Sequence, residues 1–333
     1  MRPLAVLLVI VSLGCAHRPV ANPSTTAAVA DLSATVELEE FRLPRAGAFP
    51  HDPAAGHDGM LWFTEQSANA IGRFDPFVHG FREYRIPTAD SGPHGIAVDV
   101  TGDVWFTASK RGYIGRLDPD AGAVSEFAMP DARAKDPHSL AFARDGTLFF
   151  TVEEGGFVGK LDPRSGKIDL RELRQGSLPY GIAIGKDGAA YFCEFGANRI
   201  GRVDPASLEL REYVLPEGAR PRRIAVASDG ALHYTDFARA KHGRVEPATG
   251  LVREWPTRAQ PYAIAITPDD RVWFVETGVT PNTLVRFDPK TELSLSMPIP
   301  SGGGVVRNMV STPDGRLYLA ESGVNRIAVA TPR

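Results

Sequence analysis

Cysteine is nearly absent: the 333 residues hold two, Cys15 and Cys193. Cys15 ends an N-terminal apolar run, so the body of the chain keeps one thiol. That excludes an internal disulfide and a cysteine-based zinc site. Cys193, inside "AAYFCEFG", reads as a small buried hydrophobe. An excess of charge is missing too. Lys+Arg number 37 against 40 Asp+Glu, a net charge of −3, and basic residues form no long run. No nucleic acid or acidic membrane surface is expected as a partner. Long apolar stretches are also lacking. The run from Leu4 to Leu13 is too short to span a bilayer and suits the apolar part of an export signal.

That run ends in "SLGC", which resembles the motif preceding a lipidated bacterial cysteine. Residues 1–15 are therefore expected to be an export signal with Cys15 as the lipidation site. Residues 16–33, "AHRPVANPSTTAAVADLS", are rich in Pro, Ala and Thr without periodicity and are expected to be a flexible tether. The protein is then exported, either anchored to the cell envelope on its periplasmic or outer-membrane side, or secreted. A membrane would be touched only through the lipid.

What the chain has in abundance is Gly (33) and Pro (27), spread evenly and therefore signalling turns. Turn pairs recur at Asp58-Gly59, Thr101-Gly102, Asp145-Gly146, Asp187-Gly188, Asp229-Gly230, Asp269-Asp270 and Asp314-Gly315. A period of about 43 residues means a propeller or solenoid. Within each unit the pattern is β: a short apolar strand such as "GIAV", a turn, then "VWFTA", "YIGRLDP" and "AVSEFAMP". Four strands per repeat predict an all-β, seven-bladed β-propeller over residues 34–333. Trp62, Trp105 and Trp273 recur at one strand position and are expected between blades. So are Glu65, Glu194, Glu276 and Glu321. The last unit lacks a fourth strand, and "TVELEEFRLP" (35–44) matches the missing one. The N-terminal strand is predicted to complete the last blade.

Each unit opens after a proline, on the strand expected to line the channel. The opening residues are His51, His94, His138, Tyr180, Arg222, Tyr262 and, where the proline is missing, Arg307 or Asn308. The chain has only eight histidines. Asp136 stands two residues before His138, and pre-proline geometry predicts an extended segment there. Two imidazoles and a carboxylate at a channel mouth can bind a divalent cation and leave a base free.

The repeat "P-x-G-I-A … D-G-x-x-W-F-T-E … N-x-I-G-R" resembles the streptogramin lyase family over roughly residues 35–333. The resemblance implies a seven-bladed propeller that opens a cyclic depsipeptide of the streptogramin B type by elimination. It implies Mg²⁺ held by Asp136 and His94, His138 as general base, and Glu153 of "FFTVE" in support. It also implies a base with a pKa near 7. His51, Tyr180, Arg222, Tyr262 and Asn308 are expected to line the channel against substrate. The family has Glu where this chain has Asp136, and His51 is an additional Pro-His. A small-molecule cyclic ester or depsipeptide as substrate and a monomeric protein are expected. Two other readings stay open: a lactonase-like hydrolase, and a non-catalytic propeller that binds a ligand or protein.

Overall fold

The computed structural model describes residues 30–33 and 35–333. The expected signal 1–15, Cys15 and most of the expected tether lie outside the described residues. Seven sheets form the described chain, each of four antiparallel strands, one of them extended by a short parallel strand. In the third blade the strands are Pro137–Phe142, Leu148–Val152, Phe157–Leu161 and Ile168–Glu172, paired in that order. The inner hairpin turns at Gly146, whose φ of +89° is open to glycine without steric cost. The innermost strands of neighbouring blades pack against each other around the ring.

The second strand of each blade is buried throughout, Leu148–Val152 included. Its aromatic side chains fill the space between sheets. Trp62, Trp105 and Trp273 are all buried, as is Cys193. The glycine of the "IGR" motif is required by this packing. A Cβ on Gly115 would collide with the Phe106 ring of the adjacent strand, and Gly72, Gly159, Gly201 and Gly243 face the same obstruction. Glycine there lets a ring lie flat across the next strand.

Closure follows the expected pairing. Val36–Arg42 pairs antiparallel with Arg326–Pro332, from Val36 against Pro332 to Arg42 against Arg326. Both ends of the chain thus meet in one sheet. The ring also begins before residue 34. Ala30–Asp31 runs parallel to Leu295–Ser296 of the sixth blade, and Leu32 is fully buried in the core shared by blades six and seven. The end of the stretch expected as tether is therefore structure. Composition alone hid it, because one apolar residue carries the contact.

Replacing Gly115 by Ala forces the Phe106 ring off its site. The expected cost is about 1–3 kcal/mol from overpacking, read as a lower urea midpoint with an unchanged slope.

Candidate functional site

Each inner strand breaks register next to its opening residue. The ladder skips between Pro50 and Pro53, Pro93 and Ile96, Pro137 and Leu140, and Pro179 and Ile182. It does the same between Pro221 and Ile224, Pro261 and Ile264, and Val306 and Met309. Such bulges release two residues per blade from pairing and re-aim their side chains. The seventh bulge identifies Arg307 as the equivalent of His51, with Asn308 one position deeper.

The first released residues form a collar. Ring centroids step 3.9 Å from His51 to His94, 3.8 Å on to His138 and 3.9 Å on to Tyr180. The Tyr180 and Tyr262 hydroxyls hydrogen-bond at 2.5 Å. The Arg222 guanidinium lies 4.7 Å from the Tyr262 ring, and Arg307 lies 6.0 Å from that ring and 5.6 Å from Phe49. Phe49 closes the circle 6.2 Å from His51. All seven opening residues predicted to converge do so.

The second released residues form a deeper polar layer that sequence reasoning missed. Arg223 donates to both oxygens of Asp52 at 2.7 and 3.0 Å, to Ser139 Oγ at 3.3 Å and to the Arg307 carbonyl at 3.2 Å. Asn308 Nδ2 also donates to Asp52, at 3.0 Å. Burial alone would raise the Asp52 carboxyl, but the Arg223 guanidinium and His51 hold it well below its ordinary value. The signal was available: the residue after each opening residue is Gly or Ala in three units, but Asp52, Ser139, Arg223 and Asn308 in the other four.

This layer orients the collar. His51 Nδ1 donates to Asp52 at 2.9 Å, and His138 Nδ1 contacts Ser139 Oγ at 3.0 Å. His94 Nδ1 lies 3.2 Å from the His138 carbonyl, which can only accept. His94 therefore carries its proton on Nδ1 and presents a bare Nε2. Burial first, then nearby positive charge or neighbouring imidazoles, holds the His94 and His138 pKa values well below the ordinary value. The expectation of a base near pH 7 is thereby corrected. Burial keeps these imidazoles neutral and lowers their basicity.

Above the collar lies a cavity of about 370 Å³. His51, His94, Asp136, His138, Glu153, Tyr180 and Arg222 all line it. Arg307, one of the two candidates for the seventh opening residue, also lines it, and Phe49, Gln66, Ser109 and Phe195, which were not predicted as site residues, complete the wall. Tyr262 and Asn308, expected against substrate, stand behind the wall. Glu153 follows its strand by one residue, as Gln66 does, whereas Glu65 pairs with Pro50 inside its sheet. The offset separates the cavity Glu from the recurring buried Glu. Asp136 has φ +63°, so the extended geometry expected before Pro137 is not adopted. Phe49, Gly92 and Leu178 share this left-handed turn at φ +60°, +60° and +47°. The turn tips the pre-proline side chain over the channel at about 1–3 kcal/mol of strain for a non-glycine residue.

His138 Nε2 lies 3.3 Å from Glu153. Burial pushes Glu153 up to about 7, against the pull of Arg222. Burial together with the charges of Glu153 and Glu154 pushes Asp136 up to about 7. Asp136 pairs with no cation among the described residues. His51, Asp52 and His94 gather donor atoms within 4.8 Å of one another. Asp52 already gives both oxygens to Arg223, so this group offers a cation little beyond two imidazoles. The cavity carboxylates that give no oxygen to a guanidinium are Asp136 and Glu153.

Asp52→Ala leaves Arg223 buried without a counter-charge, and the expected loss is about 3–5 kcal/mol in urea unfolding. Asp52→Ala combined with Arg223→Met should recover much of it.

No curated protein matches the chain. Among solved structures, a streptogramin B lyase superposes with a TM-score of 0.83 at 28% identity, covering 90% of this chain and 99% of the other. Virginiamycin B lyase from Staphylococcus aureus gives 0.82 at 26%, covering 90% and 100%. A catalytically inactive His-to-Ala variant of the Staphylococcus aureus enzyme, with quinupristin, gives 0.82 at 25% over the same shares. The virginiamycin B lyase family model matches residues 22–176 and 139–333. With the propeller, the histidine collar and these matches together, the chain belongs to the virginiamycin B lyase family.

Proposed function

We propose that this protein is a carbon–oxygen lyase that opens a cyclic ester of the depsipeptide kind by elimination. The observation that carries the reading is His138: a neutral, buried imidazole whose Nε2 meets Glu153 at the wall of an open cavity. Arg223 donates to Ser139 Oγ, and the same oxygen can accept His138 Nδ1–H. That tautomer leaves Nε2 as a lone pair aimed at the cavity.

Elimination needs a base for the proton α to the carbonyl and a stabilised leaving group. Nε2 takes the proton, a C=C bond forms, and the β C–O bond breaks with its electron pair leaving on oxygen as carboxylate. No atom is gained or lost. The Glu153 carboxylate accepts a hydrogen bond from the new imidazolium N–H, which offsets the low intrinsic basicity of a buried ring. A groove of about 700 Å³ adjoins the cavity through Ser109 and Asp136 and gives room for a bulky ring.

The donor set also fits a divalent cation. Asp136 has no cationic partner, and His94 offers a bare Nε2. Asp136 and His94 would hold the ion, and Glu153 lines the same cavity. These donors are not drawn into a closed shell, which suits Mg²⁺, an ion that keeps several waters. When bound, such an ion polarises the ester carbonyl.

Incubation with a type B streptogramin tests the reading by chromatography and mass spectrometry. A linear product of unchanged mass is expected, lost with EDTA and restored by Mg²⁺. His138→Ala should lower turnover by about 10²–10⁴-fold. A product heavier by one water would mean hydrolysis. Turnover that survives His138→Ala would remove His138 as the base.

A further inference from the structure

The cavity is electrically divided. Its acidic side is Asp136 and Glu153, both from blade three, while Arg222 and Arg307 line it from blades five and seven. We propose that Arg222 and Arg307 form a subsite for a carboxylate or phosphate oxyanion, whether the substrate carries it or the breaking ester bond uncovers it as the leaving carboxylate. This rests on the lyase reading for the chemistry and on the two guanidiniums for the anion.

Three arginines project from the released positions, and they differ in one respect. Arg223 is saturated by Asp52, Ser139 and a carbonyl. Arg222 and Arg307 pair with no carboxylate among the described residues. Arg307 gives one bond, from Nη1 to the Tyr262 hydroxyl at 3.3 Å. The Nε groups of both are buried without an acceptor. A guanidinium has five N–H donors, and leaving them unmet in a recessed site is costly unless a ligand meets them.

The faces of both groups are occupied even though their edges are not. Arg222 lies 4.3 Å from Phe237, 4.6 Å from Phe195, 4.7 Å from Tyr262 and 5.6 Å from Tyr180. Arg307 lies over Phe49 and Tyr262. Stacking holds each fork in place, and the N–H edges stay available for the planar oxygens of a carboxylate or for phosphate. Lysine, a point charge on a mobile stem, would not be held this way. Across the cavity Asp136 and Glu153 repel an anion, so a bound anion has one orientation. Its charge goes to the arginines and its remaining body towards His138.

Calorimetry on the full chain at low ionic strength tests this with benzoate, phenyl phosphate and the neutral isostere benzamide. Saturable binding of at least one anion, weakened by salt and at least 10-fold tighter than benzamide, is expected. The tighter anion identifies the group as carboxylate or phosphate. Arg222→Gln and Arg307→Gln should each weaken it at least 10-fold, and Arg222→Lys should retain part of it. Thermal unfolding confirms that the variants are folded. Equal binding of benzamide, absence of saturable anion binding, or unchanged affinity in folded Arg222→Gln and Arg307→Gln would overturn the subsite. The titration requires neither metal nor turnover, so its failure and the failure of the lyase assay are separate results.

Discussion

A threonine hydroxyl in four of the seven blades fixes much of the geometry of the channel. Thr64 donates to the His94 carbonyl at 2.8 Å, Thr107 to His138 at 2.8 Å, Thr151 to Tyr180 at 2.7 Å and Thr235 to Tyr262 at 2.8 Å. Each hydroxyl also accepts the amide of its own blade's bulge, at Asp52, Gly95, Ser139 and Arg223. The bulge would otherwise leave a buried amide and a buried carbonyl unpaired, at about 1–3 kcal/mol each. A two-atom side chain satisfies both and ties one sheet to the next. The tie falls on the residue that carries the ring. Where Cys193, Val275 and Ala320 replace threonine, the following opening residues are Arg222, Arg307 and His51. The last segment is held instead by Ser322 Oγ, which donates to the Pro50 carbonyl at 2.6 Å. His94, His138 and Tyr180, which stack at about 4 Å, are tied in this way, while the two arginines are held by aromatic faces.

The two layers released by the bulges divide the electrostatic labour. In the deeper layer every charge has a partner, and Arg223 with Asp52 joins blades one and five across the channel. A bidentate pair with further hydrogen bonds tolerates burial because its lone pairs are used. In the collar and wall the charges are unmatched. His94 and His138 are neutral because burial and neighbouring imidazoles or cations disfavour protonation, and Asp136 and Glu153 are raised because burial and like charge disfavour ionisation. The compensated layer makes the uncompensated one possible. It supplies a rigid floor on which unsatisfied groups persist without collapsing onto each other.

The fold was legible because its rules are local. A turn pair, an aromatic strand and a glycine where a ring must lie flat recur at one period, and the unpaired N-terminal strand matched the missing fourth strand. The collar was legible for the same reason, as one residue per repeat after a proline. What escaped was non-local or conformational. Asp52 and Arg223 are 171 residues apart, and no pattern in either blade announces the other. The turn at Asp136 went unread because pre-proline preference favours an extended backbone, while four opening segments adopt left-handed φ at this place. Leu32 escaped because one buried side chain leaves no periodicity. The Arg307–Asn308 ambiguity needed the strand register to decide it.

A ring of similar blades has no reason to be reactive on one side, so its chemistry depends on how the repeat is broken. Blade three departs at two neighbouring places. It has Asp136 where blades one, two and four have Phe49, Gly92 and Leu178, and it has Val152 where the recurring Glu would stand, with Glu153 shifted into the cavity. The first change adds a carboxylate at the channel mouth and the second shifts one there from the sheet, next to the one histidine whose deeper neighbour is Ser139. Blades five and seven depart in the opposite sense, with guanidiniums at the collar. The resulting field points from the arginines to blade three. It draws a cation towards the carboxylates and an anion away from them, and it places the His138 Nε2 between.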